Sequence, residues 1–144
     1  MSDVALEDDL GLPDGATGAA TKLVARYLRA MEARDFAAAR AMQAPGFAMT
    51  FPGANRFTEI EDLIAFSAPR YRNIRKTFLR FDEAPTAEGT VVYSIGTLHG
   101  EWPDGTAIDG IRYIDRFTVK DRRLVDQNVW NDMAETRSPL PGGS

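Results

Sequence analysis

The run Trp102-Pro103-Asp104-Gly105-Thr106, set between two long strand-like segments, constrains this chain more than any other feature. Proline at the first corner and glycine at the left-handed position fit a type I turn that closes a three-residue hairpin with a bulge. Such a turn pairs Trp102 with Thr106, and so odd positions with odd. His99 then lies opposite Asp109, Ile95 opposite Tyr113, and Tyr93 opposite Asp115. The odd positions carry the bulkier apolar groups, while the even face holds Ser94, Gly96, Arg112 and Arg116. The odd face is therefore expected to turn towards the core.

The hairpin belongs to a series of four strand-like runs: Thr77 to Glu83, Thr90 to Trp102, Ile108 to Val119, and Leu124 to Met133. Lys120-Asp121-Arg122 reads as a second turn of the same type. It points Val125, Gln127, Val129 and Asn131 inward and Leu124 and Trp130 outward, whereas a two-residue loop would flip that strand. An outer face bearing Trp130 suggests a homodimer interface. Ahead of the strands lies helical sequence. Ala20, Leu23, Val24, Tyr27, Leu28 and Met31 form one stripe. Asp35 is placed to cap a short second helix, which Pro45-Gly46 stops; Phe47 to Phe51 is a short strand. Thr58-Glu59-Ile60-Glu61 reads as a capping box opening a third helix. Helices followed by an antiparallel meander specify an α+β fold, one curved sheet with helices on one face.

An inner face containing Thr97, His99, Asp109, Tyr113, Asp115, Gln127 and Asn131 is too polar for a plain core, because unpaired buried polar groups are costly. A cavity between sheet and helices accounts for them, and that is the usual form of a small-molecule site.

The 144 residues suit one domain, read as 16–135, with a flexible arm over 1–15 and a flexible tail over 136–144. The absence of cysteine excludes disulfides and thiolate metal sites, and a single histidine excludes multi-histidine metal sites. A net charge of −4 argues against nucleic-acid binding. No apolar run approaches the roughly 18 residues of a membrane span. The acidic N-terminus is no secretory signal, so a cytoplasmic location is the default.

Three stretches then carry a resemblance: Ala25 to Asp35, Gly96-Thr97-Leu98-His99-Gly100-Glu101-Trp102, and Tyr113-Ile114-Asp115-Arg116-Phe117 with Val129-Trp130-Asn131-Asp132. Over about residues 18–133 the chain resembles the nuclear transport factor two-like superfamily, and within it the SnoaL-like and ketosteroid isomerase-like proteins. The resemblance implies a cone-shaped α+β barrel whose curved antiparallel sheet carries three helices on its concave face. It also implies an apolar ligand pocket, often a homodimer and no cofactor. Tyr27 matches the oxyanion-hole tyrosine of the isomerases and Asp115 their protonated oxyanion-hole aspartate. Their general base, an aspartate before a proline, is replaced here by Phe51-Pro52. His99, its tautomer fixed by Asp109, is the substitute base. The polyketide cyclases place their histidine directly after the threonine, one position earlier than His99.

The resulting expectation is a cofactor-free isomerase, cyclase or dehydratase acting on an apolar carbonyl compound, polyketide, steroid or terpenoid-like, through an enolate-like intermediate. Asp115, Tyr27, His99 and Asp109 are its catalytic candidates, with Phe51, Tyr93, Tyr113, Gln127 and Asn131 lining the pocket and no metal. The alternatives are a non-catalytic small-molecule-binding or dimerisation module of the same fold and a protein-interaction subunit. Asp115 also has a structural reading, bonded to Tyr93, Tyr27 or Gln127. Arg70, Arg72, Arg75, Lys76 and Arg80 form a basic cluster, read as a solvated face, with anchorage of an anionic ligand tail as the alternative.

Overall fold

The structure, a computed structural model, describes residues 10–137. The first nine residues of the expected arm and the tail from Ser138 lie outside the described residues. Leu10 is buried against the core and its carbonyl accepts from Arg29 Nε at 2.9 Å, so ordered packing begins ahead of the expected boundary at residue 15.

The elements are α1 (Ala19–Glu32), α2 (Phe36–Ala41), β1 (Gln43–Phe51), β2 (Asn55–Phe57), α3 (Ile60–Ser67), β3 (Asn73–Thr86), β4 (Gly89–Glu101), β5 (Ala107–Lys120), β6 (Arg123–Asn131) and α4 (Met133–Arg137). The fold is α+β, with one six-stranded sheet in the order β2-β1-β6-β5-β4-β3. The sheet stays open, with β2 and β3 as its edges, and β1 runs parallel to β6. The expected barrel is thus an unclosed, mostly antiparallel sheet, and α4 adds a short fourth helix.

The stripe on α1 buries Val24, Ala25, Tyr27 and Leu28 against the sheet. No side chain of its own caps α1; Glu83 of β3 accepts from Thr21 N at 2.9 Å and Thr21 Oγ1 at 2.6 Å instead. A carboxylate there satisfies free amides and suits the positive end of the helix. A Cβ at Gly18 would collide with that carboxylate, which explains the glycine. Asp35 caps α2 as expected, accepting from Ala38 N at 3.2 Å. The capping box of α3 does not form: Glu59 makes no side-chain cap bond, and Glu61 pairs with Arg40.

Two bulges decide which side chains face inward. At the hairpin end His99 pairs with Asp109 as expected. Gly110 then takes φ +88° as an unpaired extra residue, and the register shifts to Leu98↔Ile111, Gly96↔Tyr113 and Ser94↔Asp115. A bulge inserts one residue and so exchanges the faces of everything beyond it on one strand relative to the other. The odd positions of β5 face the core as expected, with Ile111, Tyr113, Asp115 and Phe117 all buried. On β4 it is the even positions, Val92, Ser94 and Leu98, that join them. The expected inward placement of Tyr93, Ile95, Thr97 and His99 is therefore corrected.

The second turn is the two-residue form. Asp121 and Arg122 sit at φ 52° and 64°, and Lys120 pairs with Arg123. A register shift between the Val119 and Thr118 pairs, with half-buried Val125 as the extra residue, restores the parity. Gln127 and Val129 consequently face inward although the turn differs, and Asn131 follows them. Leu124, expected outside, is fully buried opposite Val119. Trp130 is exposed as expected. Among the described residues no helix is long and apolar enough to cross a membrane.

Candidate active site

A cavity of about 360 Å³ opens between the inner sheet face, α3 and α4. Phe51, Leu63, Phe66, Tyr71, Ile74, Leu98 and Val129 give it an apolar wall. Its charged lining consists of one carboxylate, Asp115, and three cations, Lys76, Arg70 and Arg137. A narrower space of about 130 Å³ adjoins it beneath α1, sharing Phe51, Tyr71 and Lys76 and reaching Tyr27 and Gln127.

Asp115 is fully buried, and neither of its carboxylate oxygens has a hydrogen-bond partner. Tyr93 is on the far side of the sheet and Tyr27 does not bond to Asp115, whereas Gln127 and Lys76 are the neighbours whose side chains favour its charged form. Of the three partners in the structural reading, Gln127 is the one the structure keeps beside this carboxylate. Its nearest charge is Lys76 Nζ, 3.7 Å from Oδ2. Burial raises the Asp115 pKa, with Lys76 and then Gln127 working against the rise. Lys76 is held from behind. Its backbone N–H donates to Glu32 Oε2 at 2.8 Å, and its carbonyl accepts from Arg29 Nη1 at 2.9 Å. Arg29 and Glu32 are themselves paired at 2.9 Å, so one ion pair of α1 brackets the Lys76 peptide. The Lys76 ammonium also lies 5.0 Å from the centre of the Tyr113 ring, a cation–π distance.

The other expected residues separate into three groups. Phe51, Tyr113 and Asn131 line the cavity with Asp115. The Tyr113 hydroxyl is engaged by Ser94 Oγ at 2.9 Å, and burial pushes its pKa up. Asn131 Oδ1 accepts from Met133 N at 3.0 Å and so supports α4 at the mouth. Tyr27 and Gln127 line the narrower space. The Tyr27 hydroxyl accepts from Gln43 Nε2 at 3.3 Å and has only the weak acceptor Met49 Sδ, at 3.7 Å, for its proton. Burial pushes its pKa up to about 12, which keeps it a neutral donor.

His99, Asp109 and Tyr93 do not reach this cavity. His99 Nδ1 meets Asp109 Oδ1 at 3.1 Å, as the hairpin required, but Nε2 meets Thr97 Oγ1 at 2.9 Å on the outer face. The Gly110 bulge is the cause. Thr97 borders a second, open depression of about 860 Å³ there, with Ile95, Ile114 and Trp130. Among the described residues no cluster of three or more His, Asp or Glu could hold a metal ion.

Lys76 was legible only as part of a solvated cluster. The parity of β3 carried the missing signal, since Lys76 alternates with Ile74 and Phe78, both turned inward. Arg72 and Arg80 of that cluster instead pair with Glu101 and Asp82 on the surface.

The SnoaL-like domain family matches residues 24–127. No curated protein matches the chain significantly. Among solved structures, a nuclear transport factor two-like protein of unknown function from Burkholderia pseudomallei superposes with TM-score 0.69 at 18% identity, covering 83% of this chain and 95% of that one. A candidate SnoaL-like polyketide cyclase from Shewanella putrefaciens gives 0.67 at 15% identity, covering 81% and 91%. A candidate polyketide cyclase from Xanthomonas campestris gives 0.64 at 20% identity, covering 82% and 93%. Fold and family agree, and the chain belongs to the SnoaL-like domain family, built on the nuclear transport factor two-like fold.

Proposed function

We propose that the protein abstracts a proton α to the carbonyl of a largely apolar small molecule, as a cofactor-free isomerase, cyclase or dehydratase; several of its structural neighbours are named polyketide cyclase or isomerase. The observation that carries this reading is the Asp115–Lys76 pair at 3.7 Å, with Asp115 fully buried, against the apolar wall of the cavity. With His99 outside, Asp115 is the base. Burial raises its pKa, and a more basic carboxylate accepts a carbon-bound proton more readily. The α C–H bond breaks towards Asp115, its electron pair forms the C=C bond, and the carbonyl π pair moves onto oxygen. The Lys76 ammonium meets that oxygen, and a charge aimed where charge develops is a strong catalytic contribution in a dry site. Two groups 3.7 Å apart suit an α-carbon and a carbonyl oxygen on one substrate. Tyr27 can exchange its weak sulfur acceptor for a substrate oxygen.

2-Naphthol, whose phenolate mimics an aromatic enolate, tests this by calorimetry. Wild type should bind it, and Lys76→Met should weaken binding at least about tenfold through loss of a charge-assisted hydrogen bond. Equal binding by both proteins, or by neither, overturns the reading. Binding together with hydrogen–deuterium exchange at C1 of 2-tetralone marks catalysis, and binding without exchange marks a binding module.

The outer face supports a homodimer. Leu79, Ile114 and Trp130 are 59%, 40% and 55% exposed, and the rim pairs Arg112 with Asp132. One patch carrying apolar centre and both charge signs can meet its own copy about a twofold axis. Trp130→Glu should convert a dimer to a monomer in sedimentation; a wild-type monomer at micromolar concentration would refute the dimer.

A further inference from the structure

We infer that the cavity selects a substrate bearing a carboxylate at the end opposite its reactive carbonyl, with Arg70 and Arg137 binding that carboxylate at the mouth. The inference rests on the reading above for the inner end of the substrate and adds its outer end. Both arginines line the cavity, yet both residues are exposed, whereas Asp115 is buried; the arginines therefore mark the opening. Neither has a carboxylate partner among the described residues. Arg29, Arg40, Arg72, Arg80 and Arg112 each have one, and among the described arginines it is Arg70 and Arg137 that line this cavity. Among the described residues Asp115 is the only carboxylate of the cavity wall, and none lines the opening.

The two arginines are also pre-positioned. Arg70 Cζ stands 4.0 Å from the centre of the Phe66 ring, and Arg137 Cζ 5.2 Å from that of Trp102. Arg137 Nη1 donates to the Arg70 carbonyl at 3.1 Å, which ties the end of α4 to the turn after α3. Stacking on an aromatic face leaves the edge of a guanidinium free for bidentate contact with a planar carboxylate. Such a contact lets part of the ordering cost fall before binding rather than during it. The cavity volume, about 360 Å³, suits a ligand of two or three fused rings between the two polar ends.

The test compares 6-hydroxy-2-naphthoate with 6-hydroxy-2-naphthamide by calorimetry. The two probes share the ring and the hydroxyl for the inner end and differ only in the outer charge. Wild type should favour the carboxylate at least about tenfold, as a charge-assisted bidentate contact implies. Arg70→Gln and Arg137→Gln should each reduce that preference several-fold, with amide affinity unchanged, and added salt should reduce it in wild type. Both side chains are exposed, so these variants keep the fold. Equal affinity for the two probes overturns the inference, as does a preference that survives the double variant. A preference abolished by Lys76→Met alone would put the carboxylate at the inner end and also overturn it. 2-Naphthol, which lacks the carboxylate, separates the two claims. If 2-naphthol binds indifferently to Lys76 while the carboxylate preference still depends on the arginines, the enolate reading fails and the mouth contact stands; the reverse pattern removes only the mouth contact.

Discussion

Asp115→Asn should stabilise the protein while removing its chemistry. Asparagine has the same shape but cannot accept a carbon-bound proton, so exchange of the 2-tetralone C1 protons should slow by about 10² to 10⁴, the usual contribution of a positioned base. Stability should move the other way. The ordinary pKa of the group is 3.8, and burial raises it in the folded chain. Between those two values the folded chain holds a proton that the unfolded chain has released. Wild-type stability therefore falls as pH rises from 3.8 to the folded value, and is level above it. The asparagine variant lacks this titration. The two proteins should melt together below about pH 3 and separate as pH rises, with the variant ahead at neutral pH because it carries no buried charge. Melting curves against pH read this directly. A variant less stable than wild type at pH 7 would mean that the Lys76 pair is a net support for the fold, contrary to a site kept at the expense of stability.

That conflict between burial and charge was half visible in the sequence. The Trp102 to Thr106 turn gives the correct pairing of His99 with Asp109, and β5 alone shows by its alternation that Tyr113, Asp115 and Phe117 share a buried face. The face of β4 was misread because one residue, Gly110, interrupts the ladder between them. Asp109-Gly110 is a dipeptide that tolerates positive φ, and a strand-internal glycine after aspartate is the available sign of a bulge. The last strand came out inward at Gln127, Val129 and Asn131 for a different reason. A two-residue turn reverses its parity and the extra residue at Val125 reverses it again. Leu124, between the two reversals, is the residue that the simple count misplaced. Lys76 escaped because four arginines around it dominate the local composition, although its parity on β3 matches apolar neighbours. Local propensity and turn chemistry locate the elements; the partner across the sheet, which no local pattern specifies, locates the site.

Phe117→Ala should be the most damaging single change in the core. Phe117 is fully buried in the second half of β5, two residues beyond Asp115, and its ring meets Tyr27 edge-on at 5.9 Å and 76°. Tyr27 in turn packs edge-on against Phe47 at 5.8 Å, so Phe117 joins the sheet to α1 through one aromatic chain. Truncation leaves a cavity that Val92 and Gln127, fixed on neighbouring strands, cannot fill. The loss should be about 3–5 kcal/mol. Against a total stability of about 5–15 kcal/mol for a domain, that brings the protein close to unfolding. Urea denaturation with a shared slope measures the difference, and a loss below about 1 kcal/mol would show that α1 settles into the space. Phe117→Leu, which keeps most of the volume, should fold, yet it removes the aromatic edge that holds the Tyr27 ring. If Tyr27 assists at the substrate oxygen, Phe117→Leu should slow exchange of 2-tetralone more than it lowers stability. Leu10, buried in the same core cluster but lining neither cavity, offers the control: Leu10→Ala should cost about 2–5 kcal/mol and leave exchange by the folded protein unchanged.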